Sequence, residues 1–232
     1  MNYCTEYPHL VPYINVCDYS SAELLLVLAG TLFWIFAYLI IIRNAFKNQY
    51  VEMPVVAGAA NVAWEFTWGF LITTDLGLVF VWGLRIWFFM DLLILYSLLK
   101  WGSKQYKDAL FIRNFRLITL LQVAAWVPAY LFFYREGYDT TMGATSAYVI
   151  CVLMAVLYLT SFAGSPHKNH YSTAVAWLKW LGNTAMLVYV FMHYPHMRFL
   201  QTMALVVFVF DLWYLVLVIQ HRRHARISPA AA

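Results

Sequence analysis

Seven mostly apolar stretches follow one another at short intervals, at 21–42, 51–72, 77–99, 115–134, 143–163, 173–194 and 199–219. Each is about as long as a helix must be to cross a bilayer core of ~30 Å at about 1.5 Å per residue. Only 11% of the chain is charged and 63% is hydrophobic, whereas a soluble domain carries about 25% charged residues. The expected fold class is an all-α integral membrane protein, a seven-transmembrane helix bundle. The links are short, so consecutive helices are expected to be antiparallel neighbours. The longest link runs over 100–114, and Pro128 is expected to kink the fourth helix.

Lys and Arg set the orientation. Eleven of them lie in the links after helices one, three and five and in the C-terminal tail, against two, Arg135 and Arg198, on the other side. This places the N-terminus outside or lumenal and the C-terminus in the cytosol. The chain divides into an arm (1–20), the bundle (21–220) and a basic cytosolic tail (221–232). The net charge of +4 does not point to nucleic acid, because the basic residues gather at helix ends. Cys4 and Cys17 fall in the outer arm, where a disulfide and a pair of free thiols are both open. There is no basic start and no A-x-A cleavage site, so the first apolar segment is expected to insert and stay.

Within this apolar chain, four charges read as lying at membrane depth: Glu65, Arg85, Asp91 and Asp211. An acid at the centre of a membrane helix costs roughly 2.5–3.5 kcal/mol, so it faces the bundle interior and marks either a functional site or a polar contact between helices. Asn61, Glu65 and Trp68 stand at i, i+4 and i+7, on one helix face. Glu65 and Arg85 lie at similar depth and could pair. Arg85 and Asp91 are six residues apart, about 600° of rotation, and point to opposite sides.

Burial in apolar surroundings penalises the charged carboxyl, so such a group can keep its proton at neutral pH and act as a general acid. That role suits Glu65, with Asp211 as a supporting carboxylate and Asp91, Arg85 and Asn61 tuning it. Trp64, Trp68, Trp126, Tyr189, Trp213 and Tyr214 lie within membrane segments. Ring faces stabilise cations, though aromatic belts also anchor membrane proteins. No DDxxD or DxDD run is present, so magnesium-assisted diphosphate ionisation is not expected. Helix seven has no lysine for a retinal Schiff base. His167, His170, His193 and His196 border the membrane, and no Cys/His cluster has zinc spacing, so no metal is expected.

The Trp64-Glu65-Phe66-x-Trp68 core and the Asp211-Leu212-Trp213-Tyr214 run, in a small seven-helix chain, resemble the Pyr4-type integral membrane terpene cyclases. That family's required glutamate in helix two and aspartate in the last helix map onto Glu65 and Asp211. The resemblance implies a non-hydrolytic, cofactor-free cyclisation. A glutamic acid protonates a terminal epoxide or alkene of a polyprenyl chain on an aromatic or heterocyclic head, and a cation cascade closes rings to give an isomer. The implied partners are a prenylated hydrophobic substrate and the lipid bilayer, in the endoplasmic reticulum of a fungus or the cytoplasmic membrane of a bacterium. Two other readings stay open: a proton-coupled transporter with Glu65, Asp91 and Asp211 as its relay, and a heptahelical receptor or assembly protein with structural charges. Oligomeric state is not legible.

Overall fold

The computed structural model describes residues 12–227. Cys4 and most of the arm, like the last five residues of the tail, lie outside the described residues. Cys17 is disulfide-bonded.

Seven principal helices make up the described chain: α1 (Ser21–Asn48), α2 (Val55–Phe66), α3 (Leu78–Trp101), α4 (Ala109–Arg135), α5 (Ala144–Gly164), α6 (Thr173–His193) and α7 (Arg198–Ile227). Local chemistry fixes the starts. Ser20 and Glu23 form a reciprocal capping box at α1. The Asp108 carboxylate accepts from the Phe111 N–H at 2.7 Å and so opens α4 earlier than hydropathy suggests. The expected 100–114 link is therefore short, because α4 runs on past the apolar stretch. Pro128 sits inside α4, and the helix continues through it.

Six of these helices are long and apolar enough to cross a membrane, so the chain is a multi-pass membrane protein. The second differs from the expected span of 51–72. Its α-helical part has 12 residues, roughly 18 Å of rise. A π turn over Thr67–Leu71 follows. None of its α-helical residues is exposed. Residues 51–53 before it and 67–69 after it are buried, the condition under which non-helical backbone is tolerated at membrane depth, whereas Phe70, Leu71 and Thr73 are exposed. Glu52 in the first link is buried, and its Oε2 accepts from the Ser172 N–H at the start of α6 at 2.8 Å.

Neighbours in space are mostly not neighbours in sequence. The packing order runs α1, α6, α7, α5, α2, α3 and back to α1, with α4 laid against α2. The expectation of consecutive pairing holds chiefly for α2–α3 and α6–α7. Small residues permit the cross-sequence contacts. A Cβ on Gly182 of α6 would stand 2.5 Å from the Trp34 ring of α1. In this ring α2 and α6 stand on opposite sides.

At one end of the bundle, arm residues within 12–20 pack against the start of α3 and the link before it. The Pro12 and Tyr13 carbonyls accept from the Leu78 and Val79 N–H groups at 2.9 and 3.1 Å, capping α3. The Tyr19 hydroxyl donates to Asp75 Oδ1 at 2.9 Å, and its ring stacks on His193 at 4.5 Å. Burial, and then the Asp75 charge, push the Tyr19 phenol well above its ordinary range.

Candidate active site

A cavity lies inside the bundle, with about 1140 Å³ of empty space counted out to its mouth. Its walls come from α1, α2, α3, α5 and α6. α7 closes the gap between α5 and α6 from behind.

Glu65 is on the wall, 4% exposed. Its Oε2 is buried without a hydrogen-bond partner. One turn earlier, Asn61 also lines the cavity. Its amide donates to the Tyr38 hydroxyl at 2.7 Å and to Asp91 Oδ2 at 2.6 Å. Asp91, 2% exposed, sits behind Asn61 rather than on the wall, close enough to Glu65 for their charges to interact. Beside Glu65, the Trp64 indole is pinned by a 2.8 Å bond from Nε1 to Ser146 Oγ.

Arg85 does not pair with Glu65. Its Nε donates to the Gly69 carbonyl at 2.9 Å, and its guanidinium lies over the Trp82 and Phe70 rings at 4.7 and 5.5 Å. Gly69 lies in the π turn that ends the helix, where the last carbonyls lack helical donors, and Arg85 supplies one of them. The same turn shifts helical phase after Phe66, so Trp68 does not follow Asn61 and Glu65 onto the cavity wall. It is fully buried between the Tyr134 ring, 5.2 Å away, and Gly143.

The expected aromatic wall is only partly the observed one. Trp64 and Tyr189 line the cavity. The Tyr189 hydroxyl meets Met142 Sδ at 2.8 Å. Trp126 stacks on Tyr130 at 5.2 Å, outside the cavity. Tyr214 is buried in the core against Tyr158, 5.3 Å away. Trp213 is 56% exposed on the outer surface. Sequence proximity to an acid misled here: Trp213 is two residues from Asp211, about 200° around the helix. Instead α1 and α3 supply Trp34, Tyr38, Trp87 and Phe80, and α5 supplies Tyr148 and Tyr158.

Asp211 is 1% exposed and does not itself line the cavity. The Lys179 ammonium and the Asn183 amide, both on α6 and both on the wall, each donate to one of its oxygens. Lys179 is a fifth charge at membrane depth, 6% exposed, that the sequence reading passed over. The signal was present: Lys179 and Asn183 are four residues apart, on one face of an apolar segment. Among the described residues no group of three or more His, Cys, Asp or Glu side chains could hold a metal ion.

The fold and the site together define a multi-pass membrane protein that presents one buried acid to a ring-walled apolar cavity. A family model for the Pyr4-like transmembrane terpene cyclases matches residues 15–224, and the chain belongs to that family. It is 28% identical over 176 residues to the Pyr4-family terpene cyclase mfmH of Annulohypoxylon moriforme, covering 74% of this chain and 71% of the relative. It is 25% identical over 167 residues to terpene cyclase ascF of Acremonium egyptiacum, covering 66% and 59%. To terpene cyclase dpasB of Apiospora sacchari it is 22% identical over 170 residues, covering 71% and 68%. No solved structure matches the chain. These relatives make the protein an enzyme of the terpene cyclase type.

Proposed function

We propose that the protein cyclises a polyprenyl chain carried on an aromatic or heterocyclic head group, and that Glu65 starts the reaction as a general acid. The observation that carries this reading is Glu65 itself: a buried carboxyl on the cavity wall with, among the described residues, an unpartnered oxygen and no ion pair. Without a partner charge, apolar burial favours the neutral, protonated form.

The proton passes from Glu65 to a terminal epoxide oxygen or alkene of the chain. As the epoxide C–O bond breaks, the nearest internal alkene supplies its electron pair and a new C–C bond forms. The positive charge moves along the chain past the faces of Trp34, Trp64, Trp87 and Tyr158, which stabilise it electrostatically. Loss of a proton from the last cation ends the cascade, so the product is an isomer of the substrate. Asp211, one residue behind the wall, is a positioning group that holds Lys179 and Asn183. The low polarity of the cavity keeps water from trapping the cation.

In the membrane, the arm end is read as lumenal or external and the Arg222 end as cytosolic. The Lys/Arg asymmetry supports this, and so does a disulfide at Cys17, since such bonds persist in oxidising compartments. The substrate reaches the cavity from lipid.

The test is incubation of the purified protein, without added metal, with a terminally epoxidised polyprenyl arene. A cyclic product of unchanged mass is expected from the wild type and none from Glu65→Gln. A folded Glu65→Gln protein that cyclises at the wild-type rate removes Glu65 as the acid. Uptake of the compound into liposomes with no product would favour transport.

A further inference from the structure

The cavity has a second polar pole that proton donation does not use. Lys179 of α6 stands across the bundle from Glu65 of α2, since the packing order puts these helices opposite each other. An ammonium group carries three N–H donors. One goes to Asp211, and the group lies 5.4 Å from the centre of the Tyr158 ring. Among the described residues no other hydrogen-bond acceptor meets it. Asn183, beside it on the wall, gives one amide N–H to Asp211. The cavity is thus offered at least one buried ammonium N–H with nothing to bind.

We propose that Lys179, backed by Asp211, anchors the head group of the substrate through an uncharged oxygen acceptor, a ring carbonyl or hydroxyl, and so aims the far end of the chain at Glu65. Charge decides which acceptor fits. Asp211 already neutralises Lys179, so a neutral oxygen completes the donor set without adding charge. A carboxylate or diphosphate would bring uncompensated negative charge into an apolar cavity. The distance between the two poles then selects chain length, because the head is fixed at one and the reacting terminus must reach the other.

What happens at the far end rests on the cyclase reading. Binding is therefore measured apart from turnover, in the Glu65→Gln background. The probes are a polyprenyl arene with a ring ketone, the same compound with the ketone replaced by CH₂, and the same compound with a carboxylate. Dissociation constants come from quenching of tryptophan fluorescence in detergent. The ketone is expected to bind about 10-fold to 100-fold more tightly than the CH₂ compound, the range of a lost hydrogen bond to a charged donor, and more tightly than the carboxylate. In the paired variant Lys179→Met/Asp211→Leu the preference disappears. Equal binding of ketone and CH₂ probes, or a preference that survives in the paired variant, overturns the assignment.

Infrared spectra of a ¹³C-labelled ketone bound to the Glu65→Gln protein give a check that needs no change at Lys179. The carbonyl stretch is expected to fall on binding, and an unshifted band overturns the proposal. A clear ketone preference with no cyclisation by the wild type would keep the anchor and discard the cyclase reading. Cyclisation without any ketone preference would do the reverse.

Discussion

Asn61 donates to Asp91 Oδ2 at 2.6 Å, one helical turn before Glu65, and its other amide hydrogen goes to the Tyr38 hydroxyl at 2.7 Å. One side chain therefore ties α1, α2 and α3 together beside the acid. Asn61→Ala strips a buried carboxyl of a donor, which costs about 1–3 kcal/mol. The expected result is a lower unfolding temperature and reduced cyclisation. Asp91→Asn keeps the shape and is expected to be milder in stability. Equal, negligible effects of both changes would make the cluster dispensable.

Glu65→Gln preserves volume and removes the transferable proton. General acid catalysis is worth typically 10²–10⁴-fold, so turnover is expected to fall by about that range while thermal stability stays within ~0.5 kcal/mol of wild type. Product formation and an unfolding curve on the same preparation separate the two effects.

The Lys179–Asp211 pair should behave asymmetrically. Asp211→Leu leaves an ammonium buried without its counter-charge, at a cost of about 3–5 kcal/mol. Removing both charges in Lys179→Met/Asp211→Leu is expected to recover most of that loss. A double-mutant cycle on unfolding temperature measures the coupling; purely additive effects would mean that the pair does not function as a unit.

Gly143 and Gly137 share a left-handed backbone, φ +79° and +82°, but not a neighbourhood. A Cβ at Gly143 would stand 2.4 Å from the Trp68 ring, and one at Gly137 would meet nothing within 4 Å. Gly137→Ala is expected to cost about 1–2 kcal/mol of conformational energy. Gly143→Ala adds the displacement of Trp68, and with it the π turn near Glu65, so it should lose activity as well as stability.

Trp64 and Trp213 make a matched pair of controls. Trp64→Leu loses the bond to Ser146 and a cavity wall, and is expected to change the product distribution or rate. Trp213→Leu alters an outward-facing ring and is expected to leave both within error, as scored by product chromatography.

The seven segments and the buried Glu65 were legible in the sequence because hydropathy and one misplaced charge each carry a clear signal. Lys179 was passed over, because a long apolar window dilutes one ammonium and its partner lies 32 residues away on another helix. The π turn that follows α2 was equally hidden: nothing in Thr67–Leu71 announces it, yet Trp68 sits within it and Arg85 bonds to its Gly69 carbonyl. The aromatic wall depended on helical phase and on a packing order that departs from chain order. Rings from α1 and α5 therefore reached the cavity, while Trp126 and Trp213 did not.

The complete enclosure of α2 bears on how the protein is made. A 12-residue segment with no exposed side chain gains little by meeting lipid alone. Its lodging in the bilayer has to be supplied by α3, α4 and α5, all synthesised after it. The Glu65 carboxyl would thus take up its post only once the later helices close around it, which makes biogenesis, rather than hydropathy, the guardian of that position.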